Sequence, residues 1–260
     1  MPDNLVQWPE AKYWDKPWNP IIGCHPASPA CEHCYARTLV ERFNTTSLHP
    51  APAGFEPTAT GRENPPRKGV VFCGNMTDLF GDWVHRPCFL SPVEYVEKTL
   101  GAVGKAVYLW LTKRPAKMTK TIDYFVAGEH MSNQFFGFTG ENQEVYEGRF
   151  RTWRTYFPTY KAQGWLSAEP LLGPLDLGLG YIPPESMPFK WVVVGCESGR
   201  GRRPCKLEWI ESVVAQCRAA GVPVFVKQLD LGGVCERDIN KFPAHLRIRQ
   251  VPWSRVETAR

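Results

Sequence analysis

Two rhythms alternate along the chain: short, nearly continuous apolar runs, and longer stretches whose apolar residues recur every three or four positions. The runs start near Val70, Val107, Phe135, Trp165, Trp191 and Pro223, at successive spacings of 37, 28, 30, 26 and 32 residues. That is the length of a strand-plus-helix unit, and continuous apolar character marks parallel strands covered on both faces. The stretches between them carry helix signals. Ser91-Pro92-Val93-Glu94 reads as a capping box with proline at the first helical position, followed by Val93, Val96, Leu100 and Val103 on one stripe. Pro115 opens a helix with Met118, Ile122 and Phe125 on one face, and Tyr146, Phe150, Trp153 and Phe157 mark another. A last helix near Glu208 to Ala220 stops at Gly221, with Pro223 just beyond.

With the apolar segment before Cys24 taken as a first strand, about seven βα-like units result. The fold class predicted is α/β, a partial (β/α)6–7 parallel barrel. Residues 1–232 read as one barrel domain. Residues 44–68, rich in Pro, Gly and Thr, form an insertion. Residues 233–260 read as a C-terminal extension, in which 247–251 is a late strand or surface arm.

Composition narrows the class. A length of 260 residues with 43% hydrophobic and 13% aromatic content suits a globular protein with a substantial core. No run approaches the roughly 18 apolar residues of a membrane span, and the first residues lack the basic and apolar regions of a signal peptide. A cytoplasmic protein with reduced thiols is expected. Nine cysteines, an odd count, also argue against a disulfide framework. Cys73, Cys88, Cys196, Cys205, Cys217 and Cys235 are scattered and read as small buried hydrophobes. A net charge of +5 permits a polyanionic partner without requiring one.

The remaining cysteines are clustered. Cys24, Cys31 and Cys34 stand in a C-x6-C-x2-C spacing inside a Pro/Gly-rich loop, followed at once by Ala36, Leu39, Val40 and Phe43 at helical spacing. Three thiolates on a strand-to-helix loop can hold three corners of a metal site and leave the fourth open. The helix N-terminus behind them favours anionic ligands. Spacing leaves three readings open: an iron–sulfur cluster, a zinc site completed by His25, His33 or a distant cysteine, and thiol redox chemistry through Cys31 and Cys34.

Polar residues follow every strand. They are Asn75 to Asp78, Thr112-Lys113-Arg114, Thr139 to Gln143, Ser167-Ala168-Glu169, Glu197-Ser198-Gly199 and Lys227-Gln228. In a parallel barrel these ends share one mouth, where barrel enzymes place their sites. Arg200, Arg202, Arg203 and Lys206 form a basic loop after the sixth strand, a candidate grip for nucleic-acid phosphates or a solvated loop. Trp8, Tyr13 and Trp14 suit base stacking or packing across the barrel bottom.

The ordered blocks carry a resemblance. Trp18-Asn19-Pro20, Gly23-Cys24, Ser28-Pro29 and Cys31-x2-Cys34-Tyr35-Ala36 come first. Asn75 to Phe80, Leu111 to Pro115, Glu141-Asn142-Gln143, Ser167 to Pro174, Glu197-Ser198-Gly199 and Phe225 to Gln228 follow. Together they are similar to a phage-associated, radical-SAM-like family of unknown function. That family resembles spore photoproduct lyase in the tyrosine directly after the last cysteine. The cysteine spacing departs from the common C-x3-C-x2-C, and His33 stands where an aromatic residue is usual.

The resemblance implies a radical-SAM type of barrel with a [4Fe–4S] cluster on Cys24, Cys31 and Cys34 and S-adenosylmethionine on the open iron. Reduction by a protein such as flavodoxin would cleave the cofactor to a 5′-deoxyadenosyl radical that modifies a substrate, with a nucleotide or nucleic acid as candidate. On this reading Asn75, Thr77 and Asp78 contact the methionine end, Glu141 and Asn142 hold the ribose, and Lys113 or Lys227 pairs the carboxylate. Glu169, Glu197 and Lys227 are the catalytic candidates, against an alternative in which they are ion pairs of the mouth. The rival function is a non-catalytic zinc-binding barrel that binds nucleic acid or a phage protein.

Overall fold

Residues two apart in a strand face the same side of a sheet, and here both sides are buried. Every residue of Gly69–Cys73 and of Gln134–Thr139 is buried, as continuous apolar runs require. The computed structural model describes residues 6–44, 55–85, 88–100, 105–125, 131–156, 163–183, 186–199 and 201–253.

The strands are β1 (Val6–Gln7), β2 (Lys16–Trp18), β3 (Ile21–Ile22), β4 (Thr58–Ala59), β5 (Gly69–Cys73), β6 (Ala106–Thr112), β7 (Gln134–Thr139), β8 (Gln163–Ala168), β9 (Trp191–Gly195), β10 (Val224–Leu231), β11 (Val234–Glu236) and β12 (Gln250–Val251). The helices are α1 (Tyr35–Asn44), α2 (Pro92–Glu97), α3 (Pro115–Asp123), α4 (Gln143–Tyr156) and α5 (Leu207–Ala219). One eight-stranded sheet runs β11-β10-β9-β8-β7-β6-β5-β2. All its pairings are parallel except the β10–β11 hairpin. It curls into a half-barrel, the partial α/β barrel the apolar rhythm predicts.

Alternation sorts the side chains into two cores. Val71, Tyr108, Trp110, Phe136, Phe138, Leu166, Val192 and Val226 face the helices, where they meet Val96, Met118, Ile122, Trp153, Ile210 and Val213. The other face is the concave interior, filled by Phe72, Leu109, Phe135, Trp165, Trp191 and Phe225 with Tyr13 and Trp253 from the chain ends. Tyr13 meets Trp191 and Phe225 edge-on at 5.1 and 5.4 Å between ring centroids; such pairs add about 1 kcal/mol each beyond burial. The Trp165 indole donates to the Trp110 carbonyl at 3.0 Å. Tyr13 is thus part of the interior packing.

The helix signals correspond to real elements. Ser91 and Glu94 cap α2 reciprocally, and Met118, Ile122 and Phe125 are buried. Gly221 ends α5 at φ +66°, the left-handed conformation glycine adopts cheaply. Val103, Phe157 and the Phe43 side chain lie outside the described residues.

Two details differ from the sequence reading. The parallel strand before the cysteine loop is Lys16–Trp18, on the sheet edge, where Pro17 needs no ladder donor. Ile21–Ile22 leaves the main sheet and pairs antiparallel with Thr58–Ala59, so the later part of the 44–68 insertion backs the cysteine loop; residues 45–54 lie outside the described residues. Beyond residue 232 the chain adds β11 to the main sheet, and β12 then pairs antiparallel with β1, Val6 opposite Val251. Among the described residues, no helix is long and apolar enough to cross a membrane.

Candidate functional site

The C-terminal strand ends surround a cavity of about 630 Å³, a size suited to a cofactor or small ligand. Its walls combine Asn75 after β5, Lys113 after β6, Thr139, Ser167 and Glu169, Cys196 and Glu197 after β9, and Lys227 and Gln228 in β10. Cys31, His33 and Cys34 close one side, and Tyr13, Trp14 and Phe72 contribute apolar surface.

The cysteine loop is held over this mouth from both flanks. At its start Gly23, at φ +103°, donates to the Met76 carbonyl, and the Thr77 hydroxyl donates to the Gly23 carbonyl at 2.6 Å. A Cβ at Gly23 would stand 2.2 Å from the Glu56 carbonyl oxygen, so only glycine fits this close approach. Arg114 then reaches across from the β6 end. Its guanidinium pairs Asp78 at 3.2 Å and donates to the His25 carbonyl at 3.0 Å. On the far side Arg203 binds Glu197 at 2.5 Å, Glu32 at 3.2 Å and the Pro29 carbonyl at 3.1 Å. The Tyr35 hydroxyl donates to the Asn75 carbonyl.

These clamps explain where several expected ligand residues go. Thr77 and Asp78 do not line the cavity. Asp78 is buried and accepts from Thr112, from the Lys113 and Phe80 amides and from Arg114. Glu141 is fully buried against Arg149 at 2.6 Å, and Asn142 caps α4 by accepting from the Val145 amide at 2.9 Å. Thr139, two residues before Glu141, is the β7-end residue that faces the cavity. Glu141 and Asn142 themselves do not line the cavity.

Asn75, Lys113, Glu169, Glu197 and Lys227 do come together on the cavity wall. Lys227 pairs Glu169 at 2.5 Å, and Gln228 donates to the same carboxylate oxygen at 3.3 Å. Burial pushes the Glu197 carboxyl up, but the Arg203 hydrogen bonds and charge outweigh it and hold it below the usual carboxylate range.

Among the described residues, the arginines of the basic loop are paired within the chain. Arg202 pairs Asp230 at 2.9 Å and also donates to the Gly233 carbonyl; Arg203 is the clamp just described. Lys206 is exposed, 3.6 Å from Glu208, and Arg200 lies outside the described residues. Ion pairing within the chain satisfies both described arginines, which weakens the phosphate-gripping reading. Sequence reasoning missed Arg237, which lines the cavity from beyond β11 and donates to Gln228 at 3.1 Å. The Gly232-Gly233 pair, a two-residue hairpin turn, is the signal that would have folded this segment back.

The three motif thiols are free of disulfides, and the Cys31 sulfur accepts from the Ala27 amide at 3.4 Å. Burial pushes the Cys24 thiol up to about 12, with the Asp78 charge adding to it. Cys34 immediately precedes α1. Among the described residues, no three His, Cys, Asp or Glu side chains are gathered closely enough to hold a metal ion. Three free thiols on one loop, two facing a cavity, suit an iron–sulfur cluster by donor chemistry. Holding one requires Cys24 to join Cys31 and Cys34 at a common centre.

No curated protein and no solved structure matches the chain. A family described as a protein of unknown function, DUF5131, matches residues 9–250, which include every strand of the eight-stranded sheet and all three motif cysteines. The chain belongs to the DUF5131 family.

Proposed function

We propose that this protein is a radical S-adenosylmethionine enzyme in which Cys24, Cys31 and Cys34 hold a [4Fe–4S] cluster. The carrying observation is the cavity at the parallel strand ends, into which Cys31 and Cys34 open opposite charged and amide side chains. The cluster, when bound, supplies the electron that opens radical chemistry on the cofactor.

The protein's share is binding, orientation and exclusion of water. Lys113 and Lys227 on the wall suit a carboxylate, and Glu169 and Asn75 suit an amino group. Tyr13, Trp14, Phe72 and Leu111 give the cavity an apolar side that sheds water around an adenosyl group. Arg114 and Arg203 fix the cysteine loop above these groups. The substrate would enter the same mouth, and a nucleotide or nucleic acid remains the candidate class.

A zinc-stapled binding module is the rival. It draws less support, because Arg202 and Arg203, its expected phosphate contacts, are paired within the chain. Metal and sulfide analysis after anaerobic purification and reconstitution separates the two. Iron and acid-labile sulfide matching one four-iron cluster per chain, with 5′-deoxyadenosine released on reduction, is the expected result. About one zinc per chain without sulfide, consistent with a closed structural site, overturns it.

A further inference from the structure

Outside the motif loop the fold creates a second sulfur site. Cys196 follows β9 and Cys235 lies in β11, 39 residues apart in sequence, yet their sulfurs stand 3.8 Å apart. Cys196 is buried and lines the main cavity; Cys235 is partly exposed. The β10–β11 hairpin makes the approach, setting Cys235 opposite Asp230, while the Cys196 amide donates to the Gln228 carbonyl beside it at 3.2 Å. Both thiols are free.

We propose that Cys196 and Cys235 form a redox-active dithiol that closes reversibly to a disulfide in exchange with a small-molecule disulfide. This proposal is independent of the iron–sulfur reading, since neither thiol belongs to the motif loop.

The surroundings divide the roles. Cys196 donates its S–H to the Cys235 sulfur, which draws Cys235 toward its thiolate and pushes the Cys196 thiol up. Arg237 and Arg202 add positive charge on the Cys235 side; the more distant Glu169 opposes them, and Asp230 takes up much of Arg202. Cys235 is therefore the accessible nucleophile and Cys196 the buried resolving thiol. The Cys235 thiolate attacks one sulfur of the external disulfide, forming a mixed disulfide and expelling one thiolate. Cys196 then gives its proton to that thiolate and attacks the Cys235 sulfur, expelling the second. Two electrons pass from the protein dithiol to the external disulfide, which leaves as two thiols, the second taking from solvent the proton that Cys235 had released. The new bond ties the β9 end to the hairpin that carries Arg237, so it alters the cavity wall where Cys196, Gln228 and Arg237 meet.

The test incubates the anaerobically purified protein with glutathione disulfide, blocks free thiols by alkylation and maps disulfide-linked peptides by mass spectrometry. The expected product is a Cys196–Cys235 link that dithiothreitol reverses. In a Cys196→Ser variant with unchanged circular dichroism, glutathione should instead accumulate stably on Cys235, because the resolving sulfur is gone. Exposed Cys88 is the comparison thiol for random glutathionylation. If Cys196 and Cys235 are both alkylated after oxidation, or if either links to Cys205 or a motif cysteine, the proposal is wrong. Should the variant fail to fold, the wild-type link map alone decides.

Discussion

Lys227 and Glu169 meet at 2.5 Å across the tip of the strand that separates theirs: β10 and β8 flank β9 in the sheet. The pair bridges the cavity wall, partly open to solvent, with the Lys227 ammonium 5.8 Å from the Tyr13 ring centroid. A bridge of this kind can open to present one cation and one anion to a zwitterionic amino-acid group. Lys227→Met and Glu169→Gln should each weaken S-adenosylmethionine binding by about tenfold, the value of one charge-assisted hydrogen bond. Isothermal titration calorimetry on the reconstituted protein reads this directly. Affinity equal to wild type in both variants would remove the pair from the cofactor site.

Acid sensitivity follows from two carboxylates. Arg202 holds Asp230 below its ordinary range, and Arg203 does the same for Glu197 against the opposing effect of burial. A depressed folded-state pKa contributes stability that is fully present above the unfolded value and is lost as pH falls through the folded one. Stability should therefore decline below about pH 4, with protons taken up on unfolding. Glu197→Gln should lower stability at neutral pH by about 2 kcal/mol and flatten this acid limb. Urea midpoints measured across pH would show it; an unchanged limb would mean the Arg203 contact is not formed in solution.

The sheet was legible because its central strands are buried on both faces and so carry unbroken apolar runs. The edges were not. Lys16-Pro17-Trp18 has two exposed residues of three and no pattern to announce a strand, whereas Ile21-Ile22 is apolar enough to mimic one. For the site, sequence supplied the strand tips but not which tip residue turns inward. Asp78 and Glu141 sit on the tips as expected, yet each is buried against an arginine, Arg114 from the β6 end and Arg149 from α4. Cys196 and Cys235 are 39 residues apart, and their pairing depends on the hairpin at Gly232-Gly233, whose partner strand the short run Val234-Cys235-Glu236 does not announce.

Gly23 offers a stringent test of how the loop is seated. Its φ of +103° and the 2.2 Å approach of a built Cβ to backbone at Glu56 leave no flexible neighbour to yield. Gly23→Ala should destabilise the protein by about 2 kcal/mol and displace Cys24, whose amide donates to the Phe55 carbonyl at 3.0 Å. Gly148, on α4 with open space around its Cβ position, is the control: Gly148→Ala should be neutral to stabilising by about 1 kcal/mol. Thermal melts of the two variants should move in opposite directions.

Arg114 should matter more to loading than to folding. It donates to the His25 and Pro26 carbonyls, pairs buried Asp78, and lies 4.8 Å from the Trp83 ring centroid, so it joins the β6 end to the start of the cysteine loop. Arg114→Met keeps the aliphatic stem but removes every donor. The buried Asp78 retains its Thr112, Lys113 and Phe80 partners, which limits the stability loss to about 2 kcal/mol. The loop loses its tether, so amide exchange around residues 24–31 should accelerate, and iron retained after reconstitution should fall well below wild type. Glu208→Gln, which breaks the exposed pair with Lys206 at 3.6 Å, should change neither. Faster exchange without iron loss would mean that the loop binds its metal regardless of this clamp.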